Sequence, residues 1–195
     1  MKPSIDLASS CVGCRLRVAE CVCAHAPRLR IATRLLVIMH SKEWRRTTNT
    51  GHFARLAVKD AEVRLHGRPQ RAMNDADIVP ATSSMLVLFP GRGAEPLTAA
   101  EVAKLSKPVT LLVPDGNWNQ AKHMMRRVPI LSQARPVRLG GTVLDRGNSL
   151  RRNPCSSRMS TFEAIAQALG ILESAETEQH LLTFFQHVLN RMAHG

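Results

Sequence analysis

The chain has 195 residues, of which 44% are hydrophobic and 22% charged, so it can bury one substantial core but not two full domains. No apolar run approaches the ~20 residues of a membrane helix, and the start, MKPSIDLASS, lacks the apolar core of a signal peptide. We therefore expect a cytoplasmic protein without a membrane partner. The 27 Lys and Arg outweigh 15 Asp and Glu, for a formal net charge of +12, which predicts a polyanionic partner.

The first 30 residues form a separate segment with four cysteines and little apolar content: Cys11, Cys14, Cys21 and Cys23. Their spacing, C-x2-C-x6-C-x-C, resembles a zinc knuckle and predicts a closed, structural zinc site. Two disulfides are the alternative, although thiols stay reduced in the cytosol. An iron–sulfur cluster would use the same thiolates, but nothing else in the chain indicates redox chemistry. Cys155 is interpreted as an incidental thiol.

After this segment, predicted strands alternate with predicted helices. Four short apolar runs are predicted strands: 31–39, 85–89, 109–113 and 137–139. Five segments with helical spacing or helix-start signals are predicted helices: 47–61, 98–106, 118–126, 161–173 and 176–192. This alternation predicts an α/β fold with a parallel sheet flanked by helices. We expect a zinc-binding segment at 1–30 and one catalytic domain at 31–195.

The sequence VTLLVPDGNWNQA (109–121) marks a strand exit. Its apolar run stops at Pro114 and is followed directly by Asp115, Gly116, Asn117 and Trp118. Ligands of parallel sheets bind beyond the carboxyl ends of the strands, so we expect a site here. The alternative is that Asp115 and Asn117 only cap the following helix, since both residue types are favoured N-caps. A cap alone does not require the glycine or the tryptophan.

Basic residues cluster in the second half of the chain. Between residues 121 and 158, nine basic residues accompany a single acid, Asp145. Arginine dominates, and its planar fork suits phosphate, so nucleic acid is favoured over a merely solvated surface. Eight basic residues are candidate phosphate contacts: Arg45, Arg46, Lys122, Arg126, Arg127, Arg151, Arg152 and Arg158. Further along, Ser160 and Glu163 form a capping box at the start of a helix.

Four separated pieces of the chain together resemble the DTW-domain family. They are the cysteine cluster, HSKEWRRTTNTG (40–51), the strand exits at 89–91 and 115–118, and RMSTFEA (158–164). The order and coverage, from Cys11 to about Leu172, are similar to the bacterial tRNA-uridine aminocarboxypropyltransferases of that family. The family is named after an Asp, a Thr and a Trp, and here Asn117 stands in the threonine position.

The resemblance implies a SPOUT-like, knotted α/β fold. It also implies transfer of the 3-amino-3-carboxypropyl group of S-adenosylmethionine to N3 of a uridine in tRNA, with release of methylthioadenosine. The expected partner is tRNA rather than DNA, and the oligomeric state stays open. Two alternatives are kept: an RNA methyltransferase with the same donor, and a non-catalytic, zinc-dependent RNA-binding protein.

The resemblance further assigns roles to particular residues. Asp115 is the candidate general base, and holding the positive groups of the donor is its rival role. Trp118 is the second candidate catalytic residue and would stack on a base, although core packing is equally compatible with its position. The expected donor-binding residues are Phe89, Pro90, Gly91, Asp115, Gly116, Asn117, Trp118, Ser160 and Thr161.

Overall fold

The computed structural model describes residues 9–68, 73, 84–140 and 159–193 of the chain. In these ranges a parallel sheet of six strands forms the centre of the protein: β1 (Arg34–His40), β2 (Glu62–His66), β3 (Ser84–Leu88), β4 (Glu95–Pro96), β5 (Val109–Asp115) and β6 (Arg135–Arg138). The strands lie in the order β2-β1-β5-β3-β6-β4, and every neighbouring pair is parallel. The predicted α/β fold is therefore confirmed.

Helices cover both faces of this sheet. They are α1 (Ala54–Ala57), α2 (Ala99–Val102), α3 (Trp118–Arg127), α4 (Pro129–Gln133), α5 (Thr161–Leu172) and α6 (Ala175–Ala193). None of these described helices combines the length and the apolar character that crossing a bilayer requires.

Two hydrophobic cores form because side chains alternate between the faces of a strand. In β1, Leu35 and Val37 join a core with α5 and α6, whereas Leu36 and Ile38 join a second core with α3 and α4. Within the first core, the Phe162 ring of α5 stacks on the Phe185 ring of α6 with 5.1 Å between ring centroids. Burial on both faces explains why the central strands are continuous apolar runs.

The largest difference from the predicted elements lies at 47–61, where the sequence predicts one helix. The structure has turns, a 3-10 turn at Gly51–Phe53 and the single helical turn of α1. The helix stops because the chain beyond it pairs with Leu29, whose N–H donates to the Ala57 carbonyl and whose carbonyl accepts the Lys59 N–H, each at 2.8 Å. The prediction of a long helix at this position is wrong.

Three short elements are not predicted from the sequence: the strands β2 and β4 and the helix α4. Strand β2, EVRLH, is half-buried and lacks an apolar run, and its Glu62 pairs with Arg34 and Arg64. Strand β4 has two residues and α4 has five. Other boundaries shift by a few residues: β1 begins at Arg34, α2 ends at Val102, and β6 spans 135–138.

The knotted topology depends on the path of the chain between β6 and α5. Residues 141–158 of that path lie outside the described residues, so the knot stays a prediction. The division at residue 30 also stays a prediction. In the described part, Cys14 and Val22 of the cysteine-rich segment pack in the same core as α5 and α6.

Candidate active site

Strand β5 ends at the carboxyl edge of the sheet, where Asp115 pairs with Met39 of β1. Asn117 then begins α3 through a capping box with Gln120. The Asn117 Oδ1 accepts the Gln120 N–H at 2.9 Å, and the Gln120 Oε1 accepts the Asn117 N–H at 2.7 Å. Threonine, expected at this position from the family resemblance, is also a favoured N-cap. Asn117 therefore performs the capping that a threonine would perform, and Asp115 is left for another role.

The Asp115 carboxylate is buried, with 4% of the residue exposed, and both of its oxygens accept a hydrogen bond. Asn49 Nδ2 donates to Oδ2 and Thr161 Oγ1 donates to Oδ1, each at 2.6 Å. Gly51 packs against the same carboxylate, since a Cβ there would lie 2.5 Å from Oδ2. Burial raises the pKa of Asp115, the two donors oppose this change, and the charge of Glu43 adds to it. The strand exit thus holds a carboxylate that takes up a proton more readily than an exposed one.

The first turn of α5 forms the other side of this site. Ser160 Oγ accepts the Glu163 N–H at 3.3 Å, and Glu163 Oε2 accepts the Ser160 N–H at 2.8 Å, which confirms the predicted capping box. Thr50 Oγ1 accepts the Phe162 N–H at 3.4 Å. Residues 49–51 therefore contact both the strand exit and the start of α5.

A cleft of about 750 Å³ opens between β3, β5, β6, α3 and α5. It has the size of a small-molecule site and a largely apolar wall with a few polar groups. Its lining residues are Leu88, Phe89, Pro90, Val113, Pro114, Gly116, Asn117, Trp118, Ala121, Arg138, Leu139, Met159, Ser160, Thr161 and Ala164. Most of the predicted donor-binding residues thus meet in one cavity. Asp115 and Gly91 are not among the lining residues, and Asp115 adjoins the cleft through the Thr161 hydroxyl.

An aromatic pair stands at one wall of the cleft. The Trp118 ring stacks on the Phe89 ring with 5.0 Å between centroids and an interplanar angle of 20°. Trp118 is 45% exposed, so core packing does not account for it. Gly91 makes room for the Phe89 ring, because a Cβ at Gly91 would lie 2.8 Å from that ring. Gly91, predicted to bind the donor, is thus needed for the packing of Phe89.

Positive charge continues from the cleft along α3. Lys122 Nζ lies 5.6 Å from the centroid of the Trp118 ring, and Arg126 and Arg127 are exposed at the end of the same helix. In the loop after β1, Arg45 is exposed, whereas Arg46 is partly buried and forms an ion pair with Glu43 at 2.9 Å. Three further predicted phosphate contacts lie outside the described residues: Arg151, Arg152 and Arg158.

Sequence reasoning missed three contributors to the site. Asn49 and Thr50 lie in the family-like segment at 40–51, but nothing local shows that they reach Asp115 and α5. Arg138 is an exposed residue at the end of β6 and lines the cleft. The predicted strand at 137–139 could have indicated Arg138, because strand exits of a parallel sheet meet at one edge.

The four cysteines of the N-terminal segment converge on one point. The sulfurs of Cys11, Cys14, Cys21 and Cys23 all lie within 4.8 Å of one another. The shortest contacts are 3.4, 3.7 and 3.8 Å, too long for a disulfide. Tetrahedral zinc with Zn–S bonds of about 2.3 Å would place its sulfurs about 3.8 Å apart. The cluster could therefore hold a single metal ion such as zinc.

The thiols of the cluster differ in how readily they lose a proton. The backbone N–H of Cys14 and the Cys21 thiol lower the pKa of Cys11 to about 6, whereas burial raises the pKa of Cys14 and of Cys23. A metal ion bound there would displace the protons of the buried thiols. Gly13 is required in the loop, since a Cβ there would lie 2.7 Å from the Cys23 sulfur. Four cysteine ligands would complete a tetrahedral shell, so a metal held there would be structural rather than catalytic.

Comparison with known proteins covers most of the chain. Residues 8–193 match the DTW domain. The chain is 28% identical to tRNA-uridine aminocarboxypropyltransferase 2 of Drosophila melanogaster over 188 residues, 93% of this chain and 73% of the relative. It is 30% identical to the Mus musculus protein of the same name, over 88% of this chain and 59% of the relative. It is 26% identical to tRNA-uridine aminocarboxypropyltransferase A of Arabidopsis thaliana, over 92% of this chain and 79% of the relative. No solved structure matches the chain.

Removing the metal should unfold the cysteine-rich segment and lower the thermal stability of the whole protein, because Cys14 and Val22 belong to the main core. We expect one zinc ion per chain by atomic emission spectroscopy, and loss of that ion in Cys14→Ser. Cys155→Ser is the control and should keep its metal. Full metal occupancy in Cys14→Ser would contradict the four-cysteine site.

Replacing Asn117 tests its capping role. Asn117→Ala should lower the free energy of unfolding by ~1 kcal/mol, because the first turn of α3 loses an acceptor, whereas Asn117→Thr should stay within about 0.5 kcal/mol of the wild type. Urea denaturation followed by circular dichroism measures both. An equal loss in the two variants would show that Asn117 does something that a threonine cannot.

Proposed function

We propose that this chain, which belongs to the DTW domain family, transfers the 3-amino-3-carboxypropyl group of S-adenosylmethionine to N3 of a uridine in tRNA, releasing methylthioadenosine. Relatives named tRNA-uridine aminocarboxypropyltransferase, from an insect, a mammal and a plant, support the reaction type. The observation that carries the proposal is the buried Asp115 carboxylate, hydrogen-bonded to a hydroxyl on the wall of a cleft in which the exposed Trp118 ring stacks on Phe89.

The cleft offers a suitable group for each part of the donor. The apolar wall and the Trp118–Phe89 pair suit the adenine ring. The positive end of the α5 dipole, with the backbone N–H of Thr161, suits the carboxylate of the methionine part; the N–H groups of Ser160, Phe162 and Glu163 already donate within the protein. The negative charge of Asp115, when ionised, favours the sulfonium and the ammonium groups.

The product depends on which carbon of the sulfonium faces the uridine. Attack by N3 on the methylene carbon of the aminocarboxypropyl chain forms an N–C bond and breaks the C–S bond, and the electron pair of that bond neutralises the sulfur as methylthioadenosine. Attack on the methyl carbon would instead methylate the base. The cleft therefore has to orient the donor, and orientation is the main contribution we assign to it.

Uridine N3 must lose its proton in this step. Thr161 donates to Asp115, so the lone pairs of its oxygen are free to accept. We assign the N3 proton to Thr161 Oγ1 while the Thr161 proton passes to Asp115, whose pKa burial raises, which makes the carboxylate a better base. In the rival role, Asp115 only attracts the donor cation, and Thr161 holds the carboxylate in place.

The tRNA would lie across α3 and the loop after β1. Lys122, Arg126, Arg127 and Arg45 are exposed there and suit backbone phosphates, which fix the position of an RNA without reading its sequence. Arg46 is partly neutralised by Glu43 and is expected to contribute less.

The direct test is analysis of the products. The purified protein is incubated with S-adenosylmethionine and unmodified tRNA transcript, the RNA is digested to nucleosides, and mass spectrometry detects adducts. We expect an aminocarboxypropyl group on uridine together with methylthioadenosine, and loss of both in Asp115→Ala. Thr161→Val should lose roughly 10²-fold or more in rate, whereas Thr161→Ser, which keeps the hydroxyl, should keep most of it.

Three results would count against the proposal. A methyl adduct with S-adenosylhomocysteine would identify a methyltransferase. RNA binding with an untouched donor, across a panel of tRNA transcripts, would identify a non-catalytic binder. Equal activity in Thr161→Val and Thr161→Ser would remove the proton route through the hydroxyl and leave Asp115 its charge role.

A further inference from the structure

A chain of contacts leads from the candidate active site to the cysteine cluster. Asn49 is buried, and its Nδ2 donates to the Asp115 carboxylate at 2.6 Å. On its other side, the Asn49 Oδ1 lies 3.2 Å from Nδ1 of His52 and 3.4 Å from the His52 backbone nitrogen. Asn49 is thus held between the Asp115 carboxylate and the backbone N–H of His52.

His52 continues the chain of contacts into the cysteine-rich segment. It is 2% exposed, and its Nε2 lies 2.9 Å from the backbone carbonyl of Cys14, which is itself one of the four cysteines of the cluster. A carbonyl can only accept, so a neutral ring carries its proton on Nε2 and donates it to Cys14. Nδ1 then has no proton to donate to the Asn49 oxygen, and His52 holds Asn49 through its backbone N–H. The His52 ring also stacks on Phe53, with 4.0 Å between centroids, which fixes its plane.

We infer that Asn49 and His52 are positioning residues. They connect the cysteine cluster to the Asp115 carboxylate and hold that carboxylate in place. The inference rests on the proposed function, since it deepens the role given to Asp115. Neither residue touches the cleft. A metal bound by the four cysteines would order the Cys14 carbonyl, and that carbonyl fixes His52, then Asn49, then Asp115.

The surrounding atoms restrict the orientation of the Asp115 carboxylate. Gly51 sits against its Oδ2 with no room for a side chain, and Thr161 takes the other oxygen. If the Asn49 donor is removed, Oδ2 is left buried without a partner. The carboxylate then either becomes protonated more easily or turns away from the cleft. Either change would alter its hydrogen bond with the Thr161 hydroxyl.

The protonation of Asp115 reports on this arrangement directly. A hydrogen bond to the ionised form lowers a carboxyl pKa, so loss of the Asn49 donor should raise the pKa of Asp115. The other groups facing this carboxyl, the Thr161 hydroxyl and the charged Glu43, stay the same in each variant. Carbon-13 NMR of the aspartate carboxyls in the full, metal-loaded chain measures the pKa, and the signal is assigned with Asp115→Asn.

The variant Asn49→Leu keeps the side-chain size and removes the donor. We expect its Asp115 pKa to rise by about one unit, and the acid limb of the kcat/KM profile to move to higher pH by the same amount. Thr48→Ala, an exposed neighbour in the same loop, is the matched control and should leave both unchanged. If Asn49→Leu does not fold, Asn49→Ala replaces it. A lower melting temperature with an unmoved Asp115 pKa would reduce Asn49 to ordinary packing and overturn the inference.

Two further measurements test the connection to the cluster. His52→Phe keeps a ring and removes both nitrogens, and chelation of zinc from the wild type removes the constraint on Cys14. Each change should raise the pKa of Asp115, as Asn49→Leu does, but by a smaller amount. An Asp115 titration identical to that of the metal-loaded wild type, in either folded sample, would overturn the link between the cluster and Asp115.

This readout separates the inference from the proposed function. The NMR titration needs no turnover, so the expected shifts in a protein that does not modify tRNA would refute the function and support the positioning. The opposite outcome would be transfer activity in the wild type, with the Asp115 pKa and the acid limb of the kcat/KM profile unchanged in Asn49→Leu. That outcome would refute the positioning role of Asn49 and leave the proposed function unaffected.

Discussion

The buried carboxylate of Asp115 is the constraint on which the rest of the site depends. A charge that is removed from water is stable only if hydrogen bonds replace its hydration. Here the donors come from parts of the chain that are far apart in sequence, Asn49 after β1 and Thr161 at the start of α5. Satisfying one carboxylate therefore joins the loop after β1 to the exit of β5 and the first turn of α5, and the latter two contribute residues to the wall of the cleft.

The sheet determines where this junction lies. Its strands are parallel, so their carboxyl ends meet along one edge, and the helix starts of α3 and α5 open at that edge. The cleft and the Trp118–Phe89 pair lie at that edge. A small apolar cavity beside a basic surface is what an enzyme needs to hold a nucleoside donor next to a large RNA.

Much of this could be predicted from local sequence signals. The exit at Asp115, the capping boxes at Asn117 and Ser160 and the four-cysteine cluster all depend on residues close in sequence, and the structure contains each of them. The contact between Asn49 and Asp115 spans 66 residues and leaves no local pattern. The long helix predicted at 47–61 is wrong for a related reason: the pairing of Leu29 with the chain at 57–59 outweighs the helical spacing there. Edge strand β2 was missed because ion pairs, rather than an apolar run, accompany it.

If the cleft binds the proposed donor, S-adenosylmethionine, the charge of the Asp115 carboxylate should contribute to that binding, and calorimetry measures this contribution most directly. Asp115→Asn keeps the shape of the side chain, removes its charge and presents an amide to a neighbouring donor. We expect about a tenfold or greater loss of affinity, since a hydrogen bond to a charged group contributes about 1.5–3 kcal/mol, with zinc content unchanged. Wild-type affinity in Asp115→Asn would contradict the account, because the cleft would then bind its donor without the carboxylate.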